Sequence, residues 1–245
     1  MTVDTKGLTL CSRYSFAPNS LHFCGPERQK DMLGYVSQRE ADGGLVDILN
    51  RFETLYPYLV LIASENRIKD PFDRRVVEAY WLGNNLLGSV HIRTFIKHLD
   101  ETVGLHRKLP NKKYSSMMDE VVKRGVPQHN FHVMNVYVRT GHLAIPHTLT
   151  TMDECRISWG RVIECVHPNY IVETQPLTYQ HNRLELGVAG KKAVMSVGVK
   201  PELGDWVSIH WGYLCDRITD RQRENLAYYT KQALLGANRS HVVES

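Results

Sequence analysis

The sequence predicts an α+β protein. An N-terminal α-helical domain over residues 1–145 is followed by a small antiparallel OB-like β-barrel with a C-terminal helix over residues 152–245. Two observations carry this prediction. Up to about residue 125, apolar residues recur every three to four positions, as on one face of an α-helix. After residue 150, short runs rich in valine, isoleucine and aromatic residues alternate with turn signals, which is typical of a small barrel.

Composition narrows the class of protein. The chain has 245 residues, 42% of them apolar and 23% charged, which is typical of a globular protein that buries its own core. The net charge of +4 comes with no basic stripe, so a nucleic-acid partner is not favoured. The longest apolar run, YLVLIA at 58–63, is too short to cross a bilayer, and the N-terminus lacks the pattern of a signal peptide.

Cysteine usage predicts a reduced, cytoplasmic protein. The five cysteines are odd in number and include no C-x-x-C pair, which argues against a secreted disulfide framework and a closed zinc finger.

Helical periodicity predicts the elements of the first domain. In LVDILNRFETLYPYL (45–59), apolar residues fall at helical spacing, although Pro57 is expected to interrupt the helix. A second helix is predicted to begin at DPFD, where Asp70 can cap it and a proline suits its first position. Shorter helices are predicted at 27–38 and 114–123.

Five short runs predict the barrel: RISWGRVIECV, YIVETQPL, NRLELGV, KAVMSVGV and DWVSIHWGY. The last segment, ITDRQRENLAYYTKQALLGAN, predicts a helix with a Thr219–Gln222 capping box and a stop at Gly236. The segment GHLAIPHTLTTMDE joins the two domains.

Cys155 is the first candidate for chemistry, because it stands at the predicted entrance of the first barrel strand, beside the interdomain linker. An exposed thiol next to Arg156 favours the thiolate, although a small buried hydrophobic residue fits the pattern too. Cys165, deeper in the same run, is interpreted as core. His210 lies near the end of the last barrel strand, where a core or interface role and a ligand role both stay open.

The C-terminal domain resembles the HypC/HupF family of nickel–iron hydrogenase maturation chaperones. In that family a cysteine and a short apolar stretch lead through a basic or polar residue into a valine strand, as does CRISWGRVIE here. A Gly-Asp turn, an aromatic-valine strand with a His-x-Gly-aromatic step and a closing helix match GDWVSIHWGYLCDRITDRQRENLAYY. The cysteine is internal here, whereas the family has it at the N-terminus, and a tryptophan replaces the family's proline.

The resemblance implies a function and a set of residues. Cys155 takes the place of the family's functional cysteine and His210 that of its strand-end histidine. In that family the cysteine, with a partner protein, holds iron carrying cyanide and carbonyl ligands for delivery to the hydrogenase large subunit. The expected cofactor is therefore a transient iron precursor, and the expected partner is a metalloenzyme large subunit or maturation protein. Arg156, Trp159 and Trp211 are expected to form the partner surface.

The segment RYSFAPNSLHFCGPE resembles the start of an uncharacterised prokaryotic family with a Cys-Gly-Pro signature, and the whole chain resembles that family. Cys24 in this motif precedes a helix predicted to begin near Glu27, and a helix N-terminus lowers the pKa of a thiol. With His22 nearby, the cysteine is a candidate for a second metal or substrate site. A turn cysteine packed under the helices is the alternative.

A histidine-rich stretch, VPQHNFHVMNVYVRTGHLAIPH, extends this possible second site. His129 and His132 lie three residues apart, which places them on one face of a helix. Interface histidines are the alternative, and His142 and His147 belong to the same stretch.

The function expected is that of a HypC-like accessory protein without catalytic activity of its own. No P-loop, dinucleotide fingerprint, zinc-protease or serine-hydrolase motif is present. Two alternatives stay open: a protein-binding module with passive cysteines, and an enzyme at the interdomain cleft that uses Cys24 or Cys155 as its nucleophile.

Overall fold

A computed structural model describes residues 4–137 and 148–239. The described residues have the predicted α+β architecture: N-terminal helices, a closed five-stranded barrel, a small two-stranded sheet and a terminal helix. None of the helices in these two ranges is both long enough and apolar enough to span a membrane.

The N-terminal helices in the described part of the chain are α1 (Thr5–Ser20), α2 (Gln29–Gln38), α3 (Gly43–Leu49), α4 (Leu55–Glu65), α5 (Arg74–Trp81), α6 (Ile92–Glu101), α7 (Leu105–Lys108), α8 (Asn111–Arg124) and α9 (His129–Phe131). A 3₁₀ turn occupies Asn85–Ser89, and α9 continues into a π-helical turn at His132–Tyr137.

The predicted helix at 45–59 is two helices, α3 and α4, and Pro57 is not the break. It lies in the first turn of α4, where a backbone N–H has no helical partner and a proline costs nothing. The predicted cap at Asp70 is also wrong. Helix α5 begins at Arg74 and is capped by Asp73, while the Asp70 carboxylate accepts hydrogen bonds from the Phe72 and Asp4 amides.

The strands are β1 (Ser158–Val166), β2 (Asn169–Thr174), β3 (Leu177–Gln180), β4 (Arg183–Leu186), β5 (Gly190–Ser196), β6 (Trp206–His210) and β7 (Tyr213–Arg217). The barrel closes in the order β1-β2-β5-β7-β6, and only the β5–β7 pair is parallel among these described strands. Its interior is filled mainly by valines, with one tyrosine: Val162, Tyr170, Val172, Val194, Val199, Val207, Ile209 and Leu214.

Two predictions about the first barrel strand are wrong. Cys155 does not open the strand; it is the last residue of helix α10 (Leu149–Cys155), whose N-terminus is fixed by a capping box at Thr148. Cys165 is exposed rather than buried in the core, as are its neighbours Glu164 and Val166 at the end of β1.

The terminal helix α11 (Asp220–Arg239) packs back onto the N-terminal helices, which we call the helical half. Its predicted capping box is confirmed, with the Gln222 amide donating to Thr219 Oγ1 at 3.2 Å and the Thr219 amide donating to Gln222 Oε1 at 2.9 Å. Gly236 does not end the helix. A side chain there would come within 2.7 Å of Asn135 Oδ1, so the glycine permits close approach of α11 to the π-helical turn.

Helix α1 joins the two halves of the molecule. Arg13 forms an ion pair of 2.9 Å with Asp216 on β7, and Tyr14 hydrogen-bonds Ser208 on β6 through its hydroxyl at 2.7 Å. The main core is accordingly continuous, since Ile157 and Cys215 are buried in the same cluster as the helices. This contact brings the end of strand β6 against the helical half.

His98 on α6 predicts a measurable pH dependence of stability. The ring is 8% exposed and packs edge-on against Tyr58, and burial lowers its pKa to about 4. The unfolded ring takes up a proton near pH 6.5 whereas the folded ring stays neutral, so stability is lost as the pH falls from about 6.5 to about 4. We expect this ring to account for a loss of about 2 kcal/mol.

Urea unfolding at pH 7 and pH 4.5 measures this loss. His98→Phe is expected to lose about 2 kcal/mol less than the parent on acidification. His91→Phe, at an exposed position, is the control and should behave like the parent. Equal pH dependence in all three proteins would contradict the prediction.

Candidate functional site

A cavity of about 370 Å³ lies where the helical half meets the end of strand β6. The sequence predicts a site at Cys155 and His210 and a possible second site around Cys24. Residues of both line this cavity, so the two predicted sites are one. The predicted residues on its walls are Cys155, His210, Cys24, His22, His129, His132 and Trp211. His142 and His147 lie outside the described residues.

His210 is held in one orientation by the backbone. Its Nδ1–H donates to the Tyr14 carbonyl at 2.8 Å, which leaves Nε2 as the nitrogen with a free lone pair. The side chain is 1% exposed, and Nε2 has no hydrogen-bond partner among the described residues. Burial lowers the pKa of His210 to about 4, so the ring is neutral at pH 7.

The turn after His210 fixes where its strand ends. Trp211 and Gly212 have φ values of 50° and 73°, and these two residues alone connect β6 to β7. Positive φ at both central residues is the geometry of a tight type I′ hairpin turn. A bulky tryptophan in this region is unusual, and such backbone strain concentrates at functional sites.

His129 faces His210 across the floor of the cavity. The two ring centroids are 5.1 Å apart, and both rings contact Trp81. The Cys155 carbonyl lies 2.9 Å from His129 Nε2, and the Tyr80 hydroxyl lies 3.2 Å from its Nδ1. Burial holds the pKa of His129 well below its ordinary value, and the neighbouring His210 lowers it further.

Cys155 completes a three-residue donor group. Its Sγ and one ring nitrogen each of His129 and His210 all lie within 4.8 Å of one another. The thiol is not activated by its surroundings, because burial raises its pKa to about 12. The expectation that Arg156 favours a thiolate here is therefore wrong. A bound metal ion would itself deprotonate the thiol.

The sequence predicts Arg156 as part of a partner surface, but the structure does not expose this residue. Its side chain is 1% exposed and donates to Asp153 at 2.8 Å and to the Gln175 carbonyl at 2.6 Å. The neighbouring Trp159 is half-buried against the main core, and the half-buried Trp211 faces the cavity.

Asn130 holds the Cys155 segment against α9 and was not singled out from the sequence. Its Nδ2 donates to the Ile157 carbonyl at 2.9 Å and to Thr230 Oγ1 at 2.9 Å, and its Oδ1 accepts from the Ile157 amide at 2.7 Å. One buried side chain thus connects α9, the entry to β1 and the terminal helix.

The Cys-Gly-Pro loop forms the opposite wall. Asn19 Nδ2 donates to the carbonyls of Cys24 and Pro26, at 2.9 and 2.7 Å, and thereby sets the course of the loop. Helix α2 begins only at Gln29, and burial raises the pKa of Cys24 to about 12. The expected lowering by a helix N-terminus is therefore wrong, because Cys24 lies too far from the helix.

The rims of the cavity come from both halves of the molecule. His22 is exposed, with φ 59°, and contacts Gln29 at 3.1 Å. The ring of Phe23 lies 4.6 Å from that of Trp211, so this loop closes against the barrel. In the π-helical turn, Nδ1 of His132 lies 2.9 Å from the hydroxyl oxygen of Tyr58.

Gly25 allows a substitution that tests this wall. Its φ is +80°, and an added Cβ would lie 2.4 Å from the Phe52 ring. Gly25→Ala is expected to lower the free energy of unfolding by about 2 kcal/mol, because it combines backbone strain with a clash. Urea unfolding is the measurement. Gly34→Ala, in helix α2 with open space around it, is the control and should stabilise by up to about 1 kcal/mol. An unchanged free energy of unfolding in Gly25→Ala would contradict the packing of this loop against Phe52.

Comparison with known proteins places the chain in a family. The sequence model of a family described as "Family of unknown function (DUF6390)" matches residues 3–244. The chain belongs to the DUF6390 family. No curated protein and no solved structure matches it. Membership agrees with the whole-chain resemblance to an uncharacterised family, whereas the resemblance of the DUF6390 barrel to HypC/HupF remains a hypothesis.

Sequence reasoning on this DUF6390 chain missed the residues that orient the donors. Tyr14 acts through its carbonyl, which no side-chain pattern signals. Tyr80 and Trp81 fall on one side of the helix predicted to begin at DPFD, and their spacing does not distinguish residues that line a cavity from residues of the core.

Proposed function

We propose that this DUF6390 protein is a HypC-like accessory protein that holds one metal ion through Cys155, His129 and His210 at the floor of the cavity. The observation that carries this proposal is the free Nε2 of His210. A buried imidazole nitrogen without a partner is costly, and a Nδ1–H bonded to a backbone carbonyl is the usual support of a ligating Nε2.

The donor group fits a transition metal. Around a four-coordinate ion with bonds of about 2.0–2.3 Å, donor atoms lie roughly 3.5 Å apart. The three donors here lie within 4.8 Å of one another, so small side-chain movements bring them into range. His129 would give up one of its two hydrogen bonds. One thiolate and two imidazoles suit iron, zinc or copper, and magnesium or calcium poorly.

Iron and a metalloenzyme client follow from the resemblance. Cys155 and His210 correspond to the cysteine and the strand-end histidine of HypC/HupF. On this proposal the cargo is an iron precursor, and the partner is a metalloenzyme large subunit or a maturation protein. The helical half would serve as a cover, because it supplies His129 and the Cys-Gly-Pro wall.

Two alternatives explain less. A cysteine nucleophile needs a thiolate at neutral pH. Cys24 and Cys155 are only half-buried, but desolvation raises the pKa of each thiol to about 12, so both thiols stay protonated. A binding module with passive cysteines leaves the free nitrogen of His210 without a role.

Anaerobic purification from the native host tests the proposal. Metal analysis should find about one transition-metal ion per chain in the parent and far less in Cys155→Ser. Infrared spectroscopy should show cyanide and carbonyl bands if the ion is the iron precursor. A metal without these bands would refute the HypC-like part, and no metal in either protein would refute the site itself.

A further inference from the structure

The cavity has room for a second molecule beside the donor group, and we infer that it binds a small apolar thiol. The sulfur of this thiol would take a free position on the metal ion beside Cys155, His129 and His210. The inference rests on the three-donor metal site of the proposed function, holding an ion without cyanide or carbonyl ligands, and adds the chemical class of the ligand.

Size and wall chemistry favour an apolar body. The volume of about 370 Å³ falls within the range of small-molecule sites, about 300–1,000 Å³. Five aromatic side chains line it: Phe23, Phe52, Tyr80, Trp81 and Trp211. Its charged lining residues Arg51 and Glu53 are both exposed and opposite in sign, so they mark the mouth rather than the floor.

Charge at the floor favours an anionic donor. Ligating imidazoles are neutral and a ligating cysteine carries one negative charge. A divalent ion that carries no cyanide and is held by this group therefore leaves a net charge of +1 in a buried place. An uncompensated buried charge is costly, and one monoanionic donor removes it.

The softness of the donors selects the kind of anion. Metals that prefer thiolate and imidazole also prefer a soft additional ligand, so a thiolate is favoured over a carboxylate. The thiol would bind as its thiolate and release its proton to solvent. No oxidant or reductant is required.

Cobalt(II) provides the readout, because thiolate-to-cobalt charge transfer absorbs in the near ultraviolet. The anaerobic, cobalt-loaded full chain is titrated with benzyl mercaptan, with 2-mercaptoethanol and with benzyl alcohol. We expect benzyl mercaptan to increase the absorbance of this charge-transfer band. It should bind about 10- to 100-fold more tightly than 2-mercaptoethanol, because its ring is buried in the cavity. Benzyl alcohol should leave the band unchanged.

Variants of the wall locate the binding. Thr54→Trp narrows the cavity and should abolish the preference for benzyl mercaptan while cobalt still binds. Val133→Phe, at another lining position, is a second variant in case the first does not fold. Val122→Trp, on an exposed part of α8, is the matched control and should keep the preference.

The outcomes separate the inference from the proposed function. Equal affinity for the two thiols would overturn the inference and leave the metal site standing. Without added thiol, the intensity of the charge-transfer band could already correspond to two thiolates and fall by half in Cys24→Ser. That result would show that Cys24 fills the free position on the metal, and it would also overturn the inference. Absence of cobalt binding would remove both proposals.

Discussion

Cys155→Ser is expected to weaken cobalt(II) binding at least about 100-fold, because it removes the single anionic donor from the group of Cys155, His129 and His210. The measurement is a competition titration against a chromophoric chelator, under anaerobic conditions, with folding checked by circular dichroism. His210→Gln is expected to act in the same direction, since it removes the free Nε2.

Cys165→Ser is the matched control. This thiol is exposed on β1 and does not line the cavity, so its replacement should leave the cobalt affinity unchanged. Equal effects of the two cysteine variants would place the metal elsewhere.

Asn130→Ala is expected to lower the free energy of unfolding by about 3 kcal/mol. The substitution leaves the buried amide and carbonyl of Ile157 without partners, and each such group costs about 1–3 kcal/mol. Thr230 is less affected, because its hydroxyl still donates to the Leu226 carbonyl at 2.7 Å. Urea unfolding at pH 7 measures the change.

Asn111→Ala, at the exposed start of α8, is the control and should change stability by less than about 0.5 kcal/mol. A loss below about 1 kcal/mol in Asn130→Ala would mean that Asn130 does not connect the two halves as described. The same variant should also weaken cobalt binding, because Asn130 holds the segment that carries Cys155.

Local patterns predicted the secondary structure where one interaction dominates. The capping box at Thr219–Gln222 depends only on residues three apart, and the structure has it. The break near Pro57 was misplaced because a proline in the first turn of a helix loses no hydrogen bond. Cys155 was assigned to a strand, although its seven-residue helix depends on a cap at Thr148 and on Asn130 from a distant segment.

The electrostatic predictions for the cysteines failed for a common reason. Arg156 follows Cys155 in the chain, but its guanidinium is held by Asp153 and Gln175. Proximity along the chain therefore did not bring the charge to the thiol. Burial, which depends on the whole fold, raises the pKa of both cavity thiols instead.

The sequence by itself determined the α+β class, the position of the barrel, its terminal helix and the residue types able to bind a metal. These features follow from periodicity and chemistry within a few neighbouring residues. Only the tertiary structure decided that Cys24, His129, Cys155 and His210 line one cavity, and that His210 keeps a free nitrogen. The reason is physical: the Tyr14 carbonyl that orients His210 lies 196 positions away in the chain, and only the packing of α1 on β6 brings the two together.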